Sequence, residues 1–242
     1  MKIVAKTDVG MVRESNRDSY TTGELPNGVA WAVVCDGMGG AAGGNVASST
    51  AVKVIAEQIT SSFRPGMSAN SIKNMMVSAI NAANISVYDI SCSNSELYGM
   101  GTTVVCAIVM EHIAYIAHAG DSRAYIVSHG ALTQLTRDHS VVQELVEHGK
   151  ITDLEAKRHP NKNIITRAVG VSREILVDFS EQEMKDGDVL LLCTDGLTNF
   201  VESDEMCDLT KDDMFYEFAE RLVDRANKNG GGDNVTVVAI TY

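Results

Sequence analysis

Basic residues are scarce in this chain of 242 residues: 20 lysines and arginines stand against 32 aspartates and glutamates, a formal net charge of -12. Surfaces that hold nucleic acid or an anionic membrane need clustered positive charge, so neither class of partner is expected. Long hydrophobic runs are missing too. None approaches the roughly 20 residues that a membrane span requires, and Met1-Lys2-Ile3-Val4-Ala5-Lys6-Thr7-Asp8 lacks the apolar centre of a secretory leader. The five cysteines (Cys35, Cys92, Cys106, Cys193 and Cys207) are odd in number and follow no disulfide or metal-site spacing. Cys35, Cys106 and Cys193 lie inside apolar runs, where a thiol behaves as a small hydrophobe. A reducing cytoplasm is the expected compartment. No low-complexity linker divides the chain, and its 45% hydrophobic content supplies a sizeable core, so residues 1–242 read as one domain.

What the chain does have is a repeated ending. The apolar run Ala32-Val33-Val34-Cys35 leads into Asp36-Gly37-Met38-Gly39-Gly40. Tyr115-Ile116-Ala117-His118-Ala119-Gly120 leads into Asp121, and Val189-Leu190-Leu191-Leu192-Cys193-Thr194 into Asp195-Gly196. Gly230-Gly231-Gly232-Asp233-Asn234 opens a last apolar run, 235–240. Glycine at a strand end lets backbone approach a ligand closely. Asp-Gly also marks ordinary turns, and any one of these pairs reads equally well that way. Four at the ends of buried strands point to a shared site. If the sheets gather those ends, four carboxylates crowd one small volume and raise one another's pKa unless a cation lies between them. Oxygen donors without Cys or His among them suit Mg²⁺ or Mn²⁺.

Along the chain, residues 2–7 alternate as a half-buried strand, a polar loop runs to Asp18, and a second strand follows. Pro26-Asn27-Gly28 signals a hairpin into the strand that ends at Asp36. Two helices come next, the first marked by Val52, Ile55 and Ile59, the second by Ile72, Met75, Met76, Ala79, Ile80, Ala83, Val87 and Ile90. Residues 102–110 predict one buried strand, continued by 113–119 and 123–127 as a meander. Capping boxes at Ser140-Val141-Val142-Gln143 and Thr152-Asp153-Leu154-Glu155 open two short helices. The stretch 137–175 has no long hydrophobic repeat and reads as a flap. Strands resume at 177–179 and 189–194, then a short helix at 202–209 and an amphipathic helix from Asp212 that stops at the Gly230 triplet. Strands paired with strands, apolar on both faces, and helices in blocks predict an α+β fold: a four-layer αββα sandwich of two antiparallel sheets flanked by helices.

The ordered motifs Arg13-Glu14-Ser15-Asn16-Arg17-Asp18, Val34-Cys35-Asp36-Gly37-Met38-Gly39-Gly40, Gly99-Met100-Gly101-Thr102-Thr103, Ala119-Gly120-Asp121-Ser122-Arg123, Thr136-Arg137-Asp138-His139-Ser140, Thr194-Asp195-Gly196-Leu197 and Asp233-Asn234-Val235-Thr236 resemble those of the metal-dependent serine/threonine phosphatases, the protein phosphatase 2C family, in its compact bacterial branch. The resemblance covers essentially the whole chain. It implies the αββα fold and a binuclear Mn²⁺ or Mg²⁺ centre. By matching position, Asp36 would bridge two ions, the Gly37 carbonyl would ligate one, and Asp195 and Asp233 would complete the other. Asp121 and Asp195 match the groups that hold a third, weaker ion in bacterial members. Asp18 would act from the outer shell through water, and Arg13 would hold the phosphate. Phosphoprotein substrates are implied, with an opposing serine/threonine kinase or an anti-sigma-type regulator, and a monomer.

Two positions depart from the family pattern. Arg17 stands where many relatives carry an acidic residue; it either weakens the hold on one ion or adds positive charge near the phosphate. Met38 stands where many eukaryotic relatives carry a histidine proposed as general acid, and a thioether donates no proton. His139 reads as a flap-ordering residue, and His159 as a weak substrate contact. Rival readings are a phosphoprotein-binding module without catalysis and a domain whose strand-end aspartate itself takes the phosphoryl group. The intact aspartates weigh against the first, the hairpins and Met38 against the second.

Overall fold

The computed structural model describes residues 1–40, 42–209 and 215–242. In chain order, strands β1 (Lys2–Asp8), β2 (Asp18–Leu25) and β3 (Val29–Met38) precede helices α1 (Gly43–Ser62) and α2 (Ala69–Ser93). Strands β4 (Gly101–Thr102), β5 (Val104–Met110), β6 (Ile113–Ala119), β7 (Arg123–Ser128) and β8 (Ala131–Gln134) follow, then short helices α3 (Val141–Glu147) and α4 (Asp153–Ala156). The chain ends with β9 (Asp178–Glu183), β10 (Val189–Cys193), α5 (Asp195–Thr198), α6 (Ser203–Leu209), α7 (Phe215–Lys228) and β11 (Val235–Thr241). Asp212, the expected start of the last helix, lies outside the described residues.

One sheet runs β1-β11-β10-β7-β8 and the other β2-β3-β5-β6-β9, with β4 on the end of β3. Every pairing is antiparallel. The continuous apolar runs follow from the layers. In β3, Ala30, Ala32 and Val34 face the second sheet, meeting Leu190, Leu192, Val238 and Ile240. The alternate residues Trp31, Val33 and Cys35 face α1 and α2. On the far side, Leu191, Cys193, Val237 and Ala239 pack under Leu222, Val223 and Ala226 of α7. A strand buried on both faces leaves no polar beat in its sequence. The expected four-layer sandwich is the observed one.

Three details depart from expectation, and all three shape the site. The single strand expected over 102–110 is broken at Thr103, whose backbone N–H donates to the Asp36 carbonyl at 2.9 Å. The expected meander is split: β6 lies in one sheet and β7 in the other. The chain crosses at Gly120, φ +115°, where a Cβ would lie 2.7 Å from Thr103 Cβ. Strand β8, an exposed edge, carries too short a pattern to announce itself. Residues 137–175 are tied at both ends. His139 N–H donates to the Gly120 carbonyl, and Thr102 and Val169 exchange two backbone bonds. Buried Asn84 of α2 accepts from Gly170 N–H and donates to the carbonyls of Ser172 and Arg173. Between those ties, α3 and α4 bury none of their residues.

Candidate active site

The antiparallel order brings the C-terminal ends of β3, β6 and β10 and the N-terminal end of β11 to one end of the sandwich. Asp36, Asp121, Asp195 and Asp233 accordingly line one cavity of about 210 Å³, with Gly37, Arg13 and Arg17. Asp18 lies directly behind, paired with Asp36 in the β2–β3 register and itself 8% exposed. All seven residues expected at the site are thus brought together.

The segments that carry these carboxylates are held by neighbours that the sequence reading did not assign. Thr194 and Thr236 donate to Asp18 Oδ2 at 2.8 and 2.7 Å. Thr103 Oγ1 accepts the Asp36 N–H at 2.9 Å and shares a hydrogen bond with Ser122, next to Asp121, at 2.7 Å. Asn234 pins the loop after β1: its Nδ2 donates to the carbonyls of Val9 and Ser15, and its Oδ1 accepts from Arg17 N–H. The Asn234 and Thr103 side chains stood inside the quoted motifs, which was the available signal. Gly37 is obligatory, since a Cβ there would sit 2.0 Å from the Gly44 carbonyl oxygen at the start of α1.

Crowding sets the electrostatics. Burial, opposed by the two threonine hydroxyls, pushes the Asp18 carboxyl up to about 7. Burial and the charges of Asp18, Asp195, Asp121 and Asp233 push Asp36 well above the carboxylate range. Burial and Asp195 raise Asp121 to about 8. Asp195 is raised as well, by burial and Asp233. Asp195 Oδ2 accepts from Asn199 at 2.9 Å. Among the described residues, Oδ1 of Asp18 and Oδ1 of Asp195 are buried without a hydrogen-bond partner. Uncommitted anionic oxygens at this density are costly unless cations share them. An all-oxygen donor set fits a hard divalent ion such as Mg²⁺ or Mn²⁺.

The basic side chains around the site differ in their engagement. Arg13 grips Asp233 with two bonds of 2.8 Å, Nε to Oδ1 and Nη2 to Oδ2. His139 does not enter the cavity. Its Nδ1 accepts the Gly120 N–H at 3.1 Å, and its Nε2 faces Asp178 at 3.1 Å, where Arg167 also binds. The ring stacks on His118, with centroids 4.8 Å apart. Donor atoms of His118, His139 and Asp178 lie within 4.8 Å of one another. Both His139 nitrogens are already engaged, so this group clamps the turn before Asp121. His159 Nδ1 accepts from Asn161 N–H; from 137–175 it is Asn163 and Ile165 that reach the cavity.

The protein phosphatase 2C family model matches residues 12–236. The chain is 38% identical over 236 residues to the serine/threonine phosphatase Stp of Listeria monocytogenes, covering 97% of this chain and 93% of that one. The serine/threonine phosphatase of S. agalactiae superposes with a TM-score of 0.93 at 32% identity, covering 100% of this chain and 99% of the other. The catalytic domain of the serine/threonine phosphatase PstP, solved in complex with two manganese ions, superposes with a TM-score of 0.85 at 33% identity, covering 98% and 96%. The chain belongs to the protein phosphatase 2C family, as a protein serine/threonine phosphatase.

Proposed function

We propose that the chain hydrolyses phosphoserine and phosphothreonine in proteins at a centre of two Mn²⁺ or Mg²⁺ ions, with a third, weaker ion at Asp121 and Asp195. Asp36 and the Gly37 carbonyl would hold one ion, and Asp36, Asp195 and Asp233 the other. Bound there, such ions supply a nucleophile at neutral pH and neutralise the phosphate dianion. The observation that carries this reading is the convergence of four aspartates, from both sheets, on one cavity, with Asp18 behind Asp36 and two buried carboxylate oxygens, of Asp18 and Asp195, uncommitted.

The chain's own groups divide the remaining work. Arg13, held on Asp233, has three N–H donors beyond that pair for the phosphoryl oxygens. Asp18, fixed by Thr194 and Thr236, accepts a hydrogen bond from water at its uncommitted Oδ1. Met38 lines the cavity but donates no proton, so the leaving serine or threonine oxygen takes its proton from water. Residues 137–175, tied at both ends, act as a flap on a single catalytic domain spanning 1–242. The protein works as a cytoplasmic monomer on phosphoproteins, opposing a serine/threonine kinase. Hydrolysis of a phosphothreonine peptide tests the proposal: turnover in millimolar Mn²⁺, absent from metal-stripped protein and from Asp36→Asn, is expected. Binding of the peptide without turnover would instead make this a phosphoprotein-binding module.

A further inference from the structure

We propose that Arg17 is a second phosphate-binding residue, placed to take the phosphoryl oxygens of the substrate from the α1 side of the cavity. The proposal rests on the reading of the cavity as a phosphomonoester site. Arg17 lines the same cavity as Asp36, Asp121, Asp195 and Asp233, yet among the described residues its guanidinium pairs with none of them. Its Nε is buried without a partner. A buried guanidinium donor left unpaired costs stability, so this placement needs a compensating acceptor. Arg13 differs: two of its five N–H donors are already taken by Asp233.

The backbone of Arg17 is held at three points, which fixes where its side chain starts. Its N–H donates to Asn234 Oδ1 at 2.9 Å, and its carbonyl accepts from Gly37 N–H at 3.2 Å and from Ser48 Oγ at 2.6 Å. The stem then runs against the first turn of α1, where a Cβ on Gly44 would lie 3.0 Å from Arg17 Cδ.

Arg17 shares the cavity lining with Gly37, Met38 and Gly39. A phosphate dianion supplies the acceptors that its unpaired guanidinium lacks, and the planar fork takes two of its oxygens where an ammonium takes one.

The test uses Mn²⁺-loaded protein and inorganic phosphate as the probe, with affinity read by calorimetry and by product inhibition. Arg17→Gln should weaken phosphate binding roughly tenfold or more and raise KM for a phosphopeptide more than it lowers kcat. Arg17→Lys should lie between, keeping the charge but not the fork. Unchanged phosphate affinity in both variants, or a shift confined to the Mn²⁺ needed for half-maximal activity, would overturn the proposal. So would unaltered affinity in Arg17→Lys if Arg17→Gln does not fold. Wild-type protein that binds phosphate but turns over no phosphopeptide would instead count against the catalytic reading, leaving the role of Arg17 to the binding data.

Discussion

Replacing Asp18 by asparagine should stabilise the metal-stripped protein, and only above a definite pH. Asp18 is 8% exposed and accepts both threonine hydroxyls at Oδ2, while Oδ1 has no partner. Its carboxyl is pushed up to about 7 in the fold, from an ordinary aspartate value of 3.8, chiefly by burial. The folded state therefore keeps the proton that the unfolded chain has already released. Stability is full below the unfolded value and is lost as pH rises towards 7, levelling off above it. About three pH units at 1.4 kcal/mol each make the loss about 4 kcal/mol by pH 8. Neighbouring carboxylates titrate together, so this figure belongs to Asp18 within its cluster and does not add to theirs. Asparagine keeps an acceptor for the threonines and carries no charge. At 2–4 °C per kcal/mol for a chain of this size, Asp18→Asn should melt about 8–16 °C above wild type at pH 8 and close to it at pH 4. Thermal melts of both proteins, stripped of metal, at pH 4, 6 and 8 decide the matter. A difference that does not grow with pH, or a variant that melts below wild type at pH 8, would refute the reasoning.

Three further outcomes are expected. Millimolar Mn²⁺ should raise the wild-type melting midpoint by roughly 5–10 °C, the effect of about 2.7 kcal/mol of binding at a hundredfold excess over Kd, whereas Asp36→Asn should melt above wild type without metal and gain little from it; equal shifts in differential scanning fluorimetry would remove Asp36 from the centre. Arg13→Ala should lower kcat/KM for a phosphopeptide by about 1.5–3 kcal/mol with an unchanged fold by circular dichroism, and an unaltered kcat/KM would place the Arg13 grip on Asp233 outside catalysis. Gly120→Ala combines φ +115° with a Cβ 2.7 Å from Thr103 Cβ and Cγ2, so urea denaturation should show a loss of about 2–4 kcal/mol; a loss under 1 kcal/mol would show that the sheet crossover relaxes freely.

The layers were legible because burial on both faces writes unbroken apolar runs, as at Val33-Val34-Cys35 and Leu190-Leu191-Leu192. The gathering of the aspartates was legible for a related reason: each such run ends, or in the last case begins, at an Asp beside Gly. Contacts that depend on chain crossings were not. Nothing periodic in 102–110 marks the break at Thr103, because its cause is a bond to the Asp36 carbonyl 67 residues away in sequence. Nor does any local pattern announce that Gly120 sends the next strand to the other sheet, since the hairpin reading uses the same residues. The Arg13–Asp233 pair joins positions 220 residues apart. Its residues read singly as a loop arginine and a turn aspartate. The same holds for His139, whose partner is a backbone amide with no sequence signature.

The β2–β3 pairing sets Asp18 opposite Asp36 in one sheet, while Thr194 and Thr236, which grip Asp18, belong to the end of β10 and to β11 in the other. Away from this end of the sandwich the contact between the two sheets is chiefly apolar, and apolar surfaces resist separation far better than they resist sliding. The hydroxyl-to-carboxylate bonds act as a dowel across that sliding plane. A core substitution that lets one sheet creep past the other by a fraction of an ångström would thus be felt first as misalignment of Asp36 against Asp195 and Asp233. Alignment of the two halves and competence of the active site are, mechanically, one property.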